Sequence, residues 1–264
     1  MERQSFSKVG TDTIGTVNIF HHMADNIGDR LCGPAQYFWP ETVKIADFKY
    51  RSRKSENAIL GGGQVFGQLK EFSKHWKASP NGHLVAWGVG TPLRGKNDTS
   101  VHAVIDRFSL FGTRNYDWHD TLSFVPCASC MSSIFDEVSE PEHEVVIYAH
   151  RRKTPTLCAP KGIPFSTNHY QDIREAIGFL ARGETVVTSS YHGAYWAQLL
   201  GRRVVCIPYN DKFSTLEHTP TMATTETWQS QLKKANRTSP LLEEYRHLNQ
   251  LFAGKVADLL EIDG

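Results

Sequence analysis

Glu184-Thr-Val-Val-Thr188 is an apolar, β-branched run that passes without a break into Ser189-Ser190-Tyr191-His192-Gly193. An amphipathic stretch over residues 194–200 and a second β-branched run over 203–208 follow. The pattern reads as strand, turn, helix, strand, and no other feature of the chain constrains the fold as strongly. Two strands joined through a helix run parallel, and parallel strands need cover on both faces of their sheet. In open sheets of this kind ligands gather outside the C-terminal strand ends, where the next helix offers unpaired N–H groups and the positive end of its dipole. A histidine, two serines and a tyrosine at that place suggest chemistry on an anionic ligand. The plainer alternative is that Ser189, Ser190 and His192 cap the helix and satisfy its first donors.

The same punctuation recurs upstream. Residues 15–20 read as a strand, and the polar turn His21 to Arg30, with Asp25-Asn26-Ile27-Gly28-Asp29, leads into a helix through 35–38. Residues 43–48 read as a short strand. Residues 58–60 read as a strand ending in Gly61-Gly62-Gly63, where missing side chains let a ligand or another backbone come close. Strands over 84–87 and 107–111 end in Gly88-Val89-Gly90 and Gly112-Thr113-Arg114. Downstream, residues 145–149 end in His150-Arg151-Arg152-Lys153, and a helix over 170–182, capped by Gly183, leads back to the unit described first. The acidic, proline-containing segment 136–144 is the best linker. The expected architecture is α/β: a Rossmann-like domain over 1–138, and a second over 139–264 that closes with a long helix near 241–260.

Several function classes drop out on composition. A formal net charge of +1 over 264 residues creates no long-range field, so nucleic acid is not an expected partner. Without an apolar run of about 18 residues or the apolar core of a signal peptide, the chain is expected in the cytoplasm. Contact with the inner face of the cell membrane is left open. Five cysteines, an odd number, read as thiols and not as a disulfide framework. Cys127-Ala-Ser-Cys130 has zinc-ligand spacing, but no second pair follows at a matching distance, and Cys158 with His150 completes a site only by an unusual arrangement. The pair therefore reads as packing thiols in a turn, and no metal is expected.

Asp25-Asn26-Ile27-Gly28-Asp29, Gly61-Gly62-Gly63, Gly112-Thr113-Arg114, Val125-Pro-Cys-Ala-Ser-Cys-Met131 and Thr188-Ser-Ser-Tyr-His192-Gly193, in that order, resemble the polysaccharide pyruvyl transferase family. The resemblance implies two Rossmann-like domains facing each other across a cleft, as in GT-B glycosyltransferases. It also implies phosphoenolpyruvate as the donor substrate, no separate cofactor, and a saccharide acceptor, lipid-linked in some settings. One departure is Ser190, where some members carry an arginine two residues before the motif histidine. The chain is also short for the family.

Phosphoenolpyruvate carries a carboxylate and a phosphate, so its site needs guanidinium or ammonium groups and N–H donors. Arg114 is the best guanidinium, its plain alternative being an ion pair with Asp117 or Asp120. His150, Arg151 and Lys212 lie at strand ends facing the same cleft, and Ser189, Ser190, Tyr191 and the Gly193 amide are candidates for completing the anion cradle. Ketal formation needs a proton delivered to the enol methylene and a base for the acceptor hydroxyl. An imidazole titrates near neutrality, which makes His192 the candidate for proton transfer. Asp29 is the candidate for deprotonating or orienting the acceptor, and otherwise a helix-dipole partner. Asn26, Gly28, Gly62 and Gly63 are expected on the acceptor side. Tyr191, Tyr195, Trp196, Trp87, Trp118 and Tyr116 suit a sugar platform. A glycosyltransferase using a nucleotide sugar, with Glu217 as a ribose-binding candidate, and a non-catalytic sugar-binding protein are the alternatives.

Overall fold

A computed structural model describes residues 14–49, 55–76, 82–137, 139–154, 156–239 and 241–262. Its first sheet contains β1 (Ile14–Phe20), β2 (Lys44–Asp47), β3 (Ser55–Gly63), β4 (Leu84–Val89), β5 (Leu110–Thr113) and β6 (Ser123–Phe124). The second contains β7 (His143–Ala149), β8 (Phe165–Thr167), β9 (Gly183–Thr188), β10 (Arg203–Cys206) and β11 (Thr221–Met222). The helices are α1 (Ile27–Arg30), α2 (Ala35–Phe38), α3 (Phe66–His75), α4 (Thr99–Ile105), α5 (Ile173–Ala181), α6 (Tyr191–Leu199), α7 (Trp228–Gln231) and α8 (Leu242–Leu260).

Every strand pairing among the described residues is parallel. The strand orders are β2-β1-β3-β4-β5-β6 and β11-β10-β9-β7-β8. In the first sheet the chain steps from β1 outward to β2 and then returns to place β3 on the other side of β1. In the second it does the same around β7. Each sheet therefore has a topological switch point, β1/β3 in one and β7/β9 in the other, and such a point leaves a crevice at the strand ends.

Alternation within the strands builds two-sided cores. In the first sheet Ala58, Leu60, Leu84 and Ala86 pack with Leu69 and Phe72 of α3 and Val101 and Val104 of α4. Their neighbours Ile59, Val85 and Trp87 face the other way, onto Ala35 of α2 and Phe252, Val256 and Leu260 of α8. Trp87 Nε1 donates to Asn249 Oδ1 of α8 at 2.9 Å, which satisfies the buried indole.

Four differences from the sequence reading have physical causes. The closing helix α8 starts against the second domain, where Leu241 and Tyr245 join Tyr195, Phe213 and Leu216. It then crosses to the first sheet, so it belongs to both domains and does not simply close residues 139–264. Strand β5 begins at Leu110 and not near 107, because Phe108 N–H still bonds Ile105 O at 2.9 Å in the turn leaving α4. Helix α6 begins at Tyr191, three residues earlier than read, because Ser190 is its N-cap and accepts from Gly193 N–H at 3.3 Å. Gly183 opens β9 and caps nothing. A Cβ there would lie 2.5 Å from Val146 Cγ2, so packing is what a side chain at this position would upset.

Candidate active site

The C-terminal ends of β1, β3, β5, β7 and β9 converge, and between them lie two connected spaces. An outer cleft of about 580 Å³ runs between Asp25, Asn26 and Asp29 of the first domain and His150, Arg151, Arg152, Lys153 and Asn168 of the second. A narrower inner recess of about 40 Å³ shares Asn26, Asp29 and His150 with it, and ends at Arg114, Tyr191, His192 and Lys212. Contacts across the cleft hold the domains together. Arg30 Nη2 donates to Gln171 O at 2.7 Å, Asn168 Nδ2 to Asn26 Oδ1 at 3.2 Å, and Arg152 Nη2 to Asp25 Oδ2 at 2.8 Å.

Arg114 lies just past β5 and is 4% exposed. Its guanidinium stacks on the Tyr191 ring, 4.0 Å from the centroid, with Nε and Nη1 buried and without hydrogen-bond partners among the described residues. The ion-pair alternative fails, because Asp120 pairs with Lys96 at 2.7 Å and the buried Asp117 Oδ1 has no partner among the described residues. Burial works against the charge, but the fields of Tyr191, Cys32, Cys127 and Asp29 outweigh it and hold the guanidinium above its ordinary pKa. A buried cation left without hydrogen bonds is costly unless something else supplies them.

Lys212 is the second cation of the recess. Its Nζ donates to Tyr209 OH and stands 4.6 Å from the Tyr209 ring centroid. Burial, then repulsion from Arg114, pulls the ammonium down to a pKa of about 8. His150 is half-buried at the end of β7. Burial first and Lys212 second push its imidazole below the usual pKa, which favours the neutral ring. Asp29 Oδ2 accepts from Asn26 Nδ2 at 3.0 Å, so these two residues of the first turn act together at the mouth of the recess.

His192 is 5% exposed, in the first turn of α6. Its Nε2 lies 3.3 Å from Cys32 Sγ and 3.6 Å from Cys127 Sγ, and the two sulfurs are 3.5 Å apart. The Nδ1 side packs on Gly28, where a Cβ would stand 2.2 Å from that nitrogen. The imidazole thus turns its Nε2 away from the open cleft and onto two thiols. Of the two sulfurs, Cys127 is held well below the usual thiol pKa, by its hydrogen bond with Cys32 against the pull of burial, and by His192 and Ser129. Cys32 is correspondingly raised.

No protein-family model matches the chain, and no curated protein matches it. Among solved structures, a Listeria monocytogenes protein assigned as a UDP-N-acetylglucosamine 2-epimerase superposes with a TM-score of 0.53 at 11% identity, over 96% of this chain and 98% of that one. The fold is GT-B-like. An uncharacterised Klebsiella pneumoniae protein gives 0.49 at 17% identity, over 80% and 92%. The wall teichoic acid polymerase TagF gives 0.47 at 12% identity, over 97% and 85%.

Within this GT-B-like frame several sequence expectations change. The cradle of Ser189, Ser190 and Gly193 is spent on the fold: Ser189 Oγ accepts from His150 N–H at 2.8 Å, and Ser190 Oγ takes the Gly193 amide. The capping alternative holds for Ser190, the N-cap of α6, whereas Ser189 ties down the end of β7 and His192 meets Cys32 and Cys127. Arg151 is exposed along the outer cleft and does not reach Arg114. Gly62, at φ 56°, makes room for Cys32 and not for an acceptor, since a Cβ would stand 2.0 Å from Cys32 Cβ. Gly63 lies beside Asp29. Gly28 serves His192. Trp87, Trp118 and Trp196 are core residues at 0% exposure, so they form no sugar platform, and Tyr195 OH is used on Cys127 O at 2.8 Å. Tyr116 stacks on His119. Cys127 and Cys130 are not a pair, for Cys130 Sγ accepts from Asn249 Nδ2 at 3.4 Å. Sequence reading passed over Tyr209 and Gln64, which line the recess, and Cys32, none of which carries a local pattern. Among the described residues no helix is long and apolar enough to cross a membrane.

Proposed function

We propose that the protein is a transferase acting on a small phosphorylated carboxylate, with phosphoenolpyruvate as donor and two hydroxyls of a saccharide, free or lipid-linked, as acceptor. The observation that carries this reading is the buried Arg114 guanidinium with two nitrogen positions unpartnered, beside Lys212, where the switch points of both sheets meet. A ligand with a carboxylate and a phosphate supplies what these two cations lack. The outer cleft, with Asp29 and Asn26 on its wall, has room for a sugar.

In the reaction a proton adds to the enol methylene, an acceptor hydroxyl bonds to the cationic carbon, and the carbon–oxygen bond to phosphate breaks. The second hydroxyl then closes the ketal, so one hydroxyl proton leaves with phosphate and the other replaces the proton delivered. Lys212, with a pKa of about 8, holds a proton at neutral pH and gives it up readily, which suits the acid. His150, kept neutral by burial and by Lys212, suits the base, and Asp29 suits orientation of the acceptor. Proton transfer is therefore assigned away from His192, whose Nε2 faces Cys32 and Cys127.

The outer cleft also carries Arg151, Arg152 and Lys153, a basic edge that favours a nucleotide sugar as the second reading. Separate incubations with phosphoenolpyruvate and with nucleotide sugars, each with a panel of oligosaccharides and followed by mass measurement, distinguish the two. A pyruvate ketal and free phosphate support the first reading. Products formed only from nucleotide sugars replace it with the second.

A further inference from the structure

Cys32 Sγ, Cys127 Sγ and His192 Nε2 form a triangle that neither anion binding nor proton transfer uses. All three residues are buried, and these donor atoms lie within 4.8 Å of one another. We propose that they are the protein ligands of a zinc ion that ties the two domains together beneath the recess. The inference stands whether or not phosphoenolpyruvate is the donor.

Zinc holds thiolate sulfur at about 2.3 Å and imidazole nitrogen at about 2.0–2.1 Å, and tetrahedral angles then place two sulfurs about 3.8 Å apart and sulfur about 3.6 Å from nitrogen. The sulfur–sulfur separation in the structure is 3.5 Å and the two sulfur–nitrogen separations are 3.3 and 3.6 Å, so shifts of a few tenths of an ångström seat the ion. Two thiolates and an imidazole are a soft set that suits zinc and not magnesium or calcium.

The surroundings carry the same signature. Ser129 Oγ donates to Cys127 Sγ at 3.3 Å and itself accepts from Trp196 Nε1 at 3.0 Å, so a fixed donor is aimed at the sulfur, as outer hydrogen bonds orient metal-bound ligands. Two glycines admit the ligands: Gly62 leaves the space that Cys32 fills, and Gly28 the space against His192 Nδ1. The ligands come from far apart in the chain. Cys32 follows α1, Cys127 follows β6, and His192 opens α6 in the other domain. Three protein ligands leave one position for water or a ligand atom. Cys127 also lines a small, partly open cavity with Arg114 and Tyr191 that offers it room.

The test uses the full chain purified under reducing conditions without chelators, given excess zinc and then freed of unbound metal. Stoichiometric zinc is expected by elemental mass spectrometry. Cobalt substituted for zinc should show thiolate-to-cobalt charge-transfer absorption and the intense visible bands of a tetrahedral site. Folded Cys32→Ser and Cys127→Ser should lose the metal, while Cys130→Ser should keep it. Because a ligand variant that does not fold loses metal for a trivial reason, the cobalt spectrum of the unsubstituted chain decides. A spectrum without the sulfur band, substoichiometric zinc after loading, a Cys32–Cys127 disulfide in the reduced preparation, or zinc retained in folded Cys127→Ser would each overturn the proposal.

Discussion

Lys212 and Gly28 make the account testable one residue at a time. The Lys212 ammonium is present below about pH 8 and lost above it, so turnover that needs it as acid falls as pH rises through that value. His150 acts as base only when neutral, and its depressed pKa extends that form to lower pH before turnover falls again. Lys212→Arg keeps the charge for the donor but surrenders the acid, because a guanidinium does not release its proton. It should lower kcat by about 10²–10⁴ with little change in donor affinity, and a pH–rate profile on the variant should lack the alkaline limb. An unaltered alkaline limb would remove Lys212 from the acid's role. At Gly28, alanine would put a methyl group 2.2 Å from His192 Nδ1. The clash has backbone on one side and a buried ring on the other, so Gly28→Ala should cost about 1–3 kcal/mol, read as a lower denaturation midpoint. Unchanged stability would mean that the domains do not meet there.

Helix α8 shows what an element's own pattern discloses and what it hides. Its amphipathic period is local and readable, and its bounds match the sequence expectation to within a residue. Its partner is not local. Arg246 Nε donates to Cys130 O at 3.0 Å, and Phe252 stands edge-on to Trp87 with centroids 4.9 Å apart. Nothing in residues 241–260 says which sheet supplies those contacts. Phe252 is 3% exposed, and Phe252→Ala should destabilise by about 3–5 kcal/mol, measured by denaturant unfolding. Because α8 spans both domains, the loss should appear in one cooperative transition. Two separate transitions, with only the second shifted, would return the helix to the second domain. Helix α4 carries a local signal that the strand readings on either side of it pass over, since Asp98 accepts from Ser100 N–H at 2.8 Å as an N-cap should. Strand β5 was misplaced because Phe108 and Phe111 straddle the helix end and the strand, and apolar runs that short do not reveal where one stops.

Across the whole molecule, the candidate site gathers where two sheets each reverse strand order. The strand-end residues Arg114, His150, His192 and Asp29 were readable because β-strand ends announce themselves through glycine and polar turns. Cys32 was not, since its meaning exists only once Cys127 and His192 approach it from two other segments. Ser189 and Ser190 look like anion donors in the sequence, yet Ser190 accepts from the local Gly193 amide and Ser189 from the distant His150 amide. What remains for a ligand is the pair of cations in the recess, and Arg114 is the one whose Nε and Nη1 have no hydrogen-bond partner among the described residues. Saturating phosphoenolpyruvate should therefore raise the stability of the chain, by about 2.7 kcal/mol at a hundredfold excess over its dissociation constant. The decisive measurement is that stabilisation, read by thermal unfolding with and without phosphoenolpyruvate, in the unsubstituted chain and in Arg114→Ala. The account predicts a clear upward shift in the first and loss of most of it in the second, with both chains folded. No shift in the unsubstituted chain, or an equal shift in the variant, would contradict it.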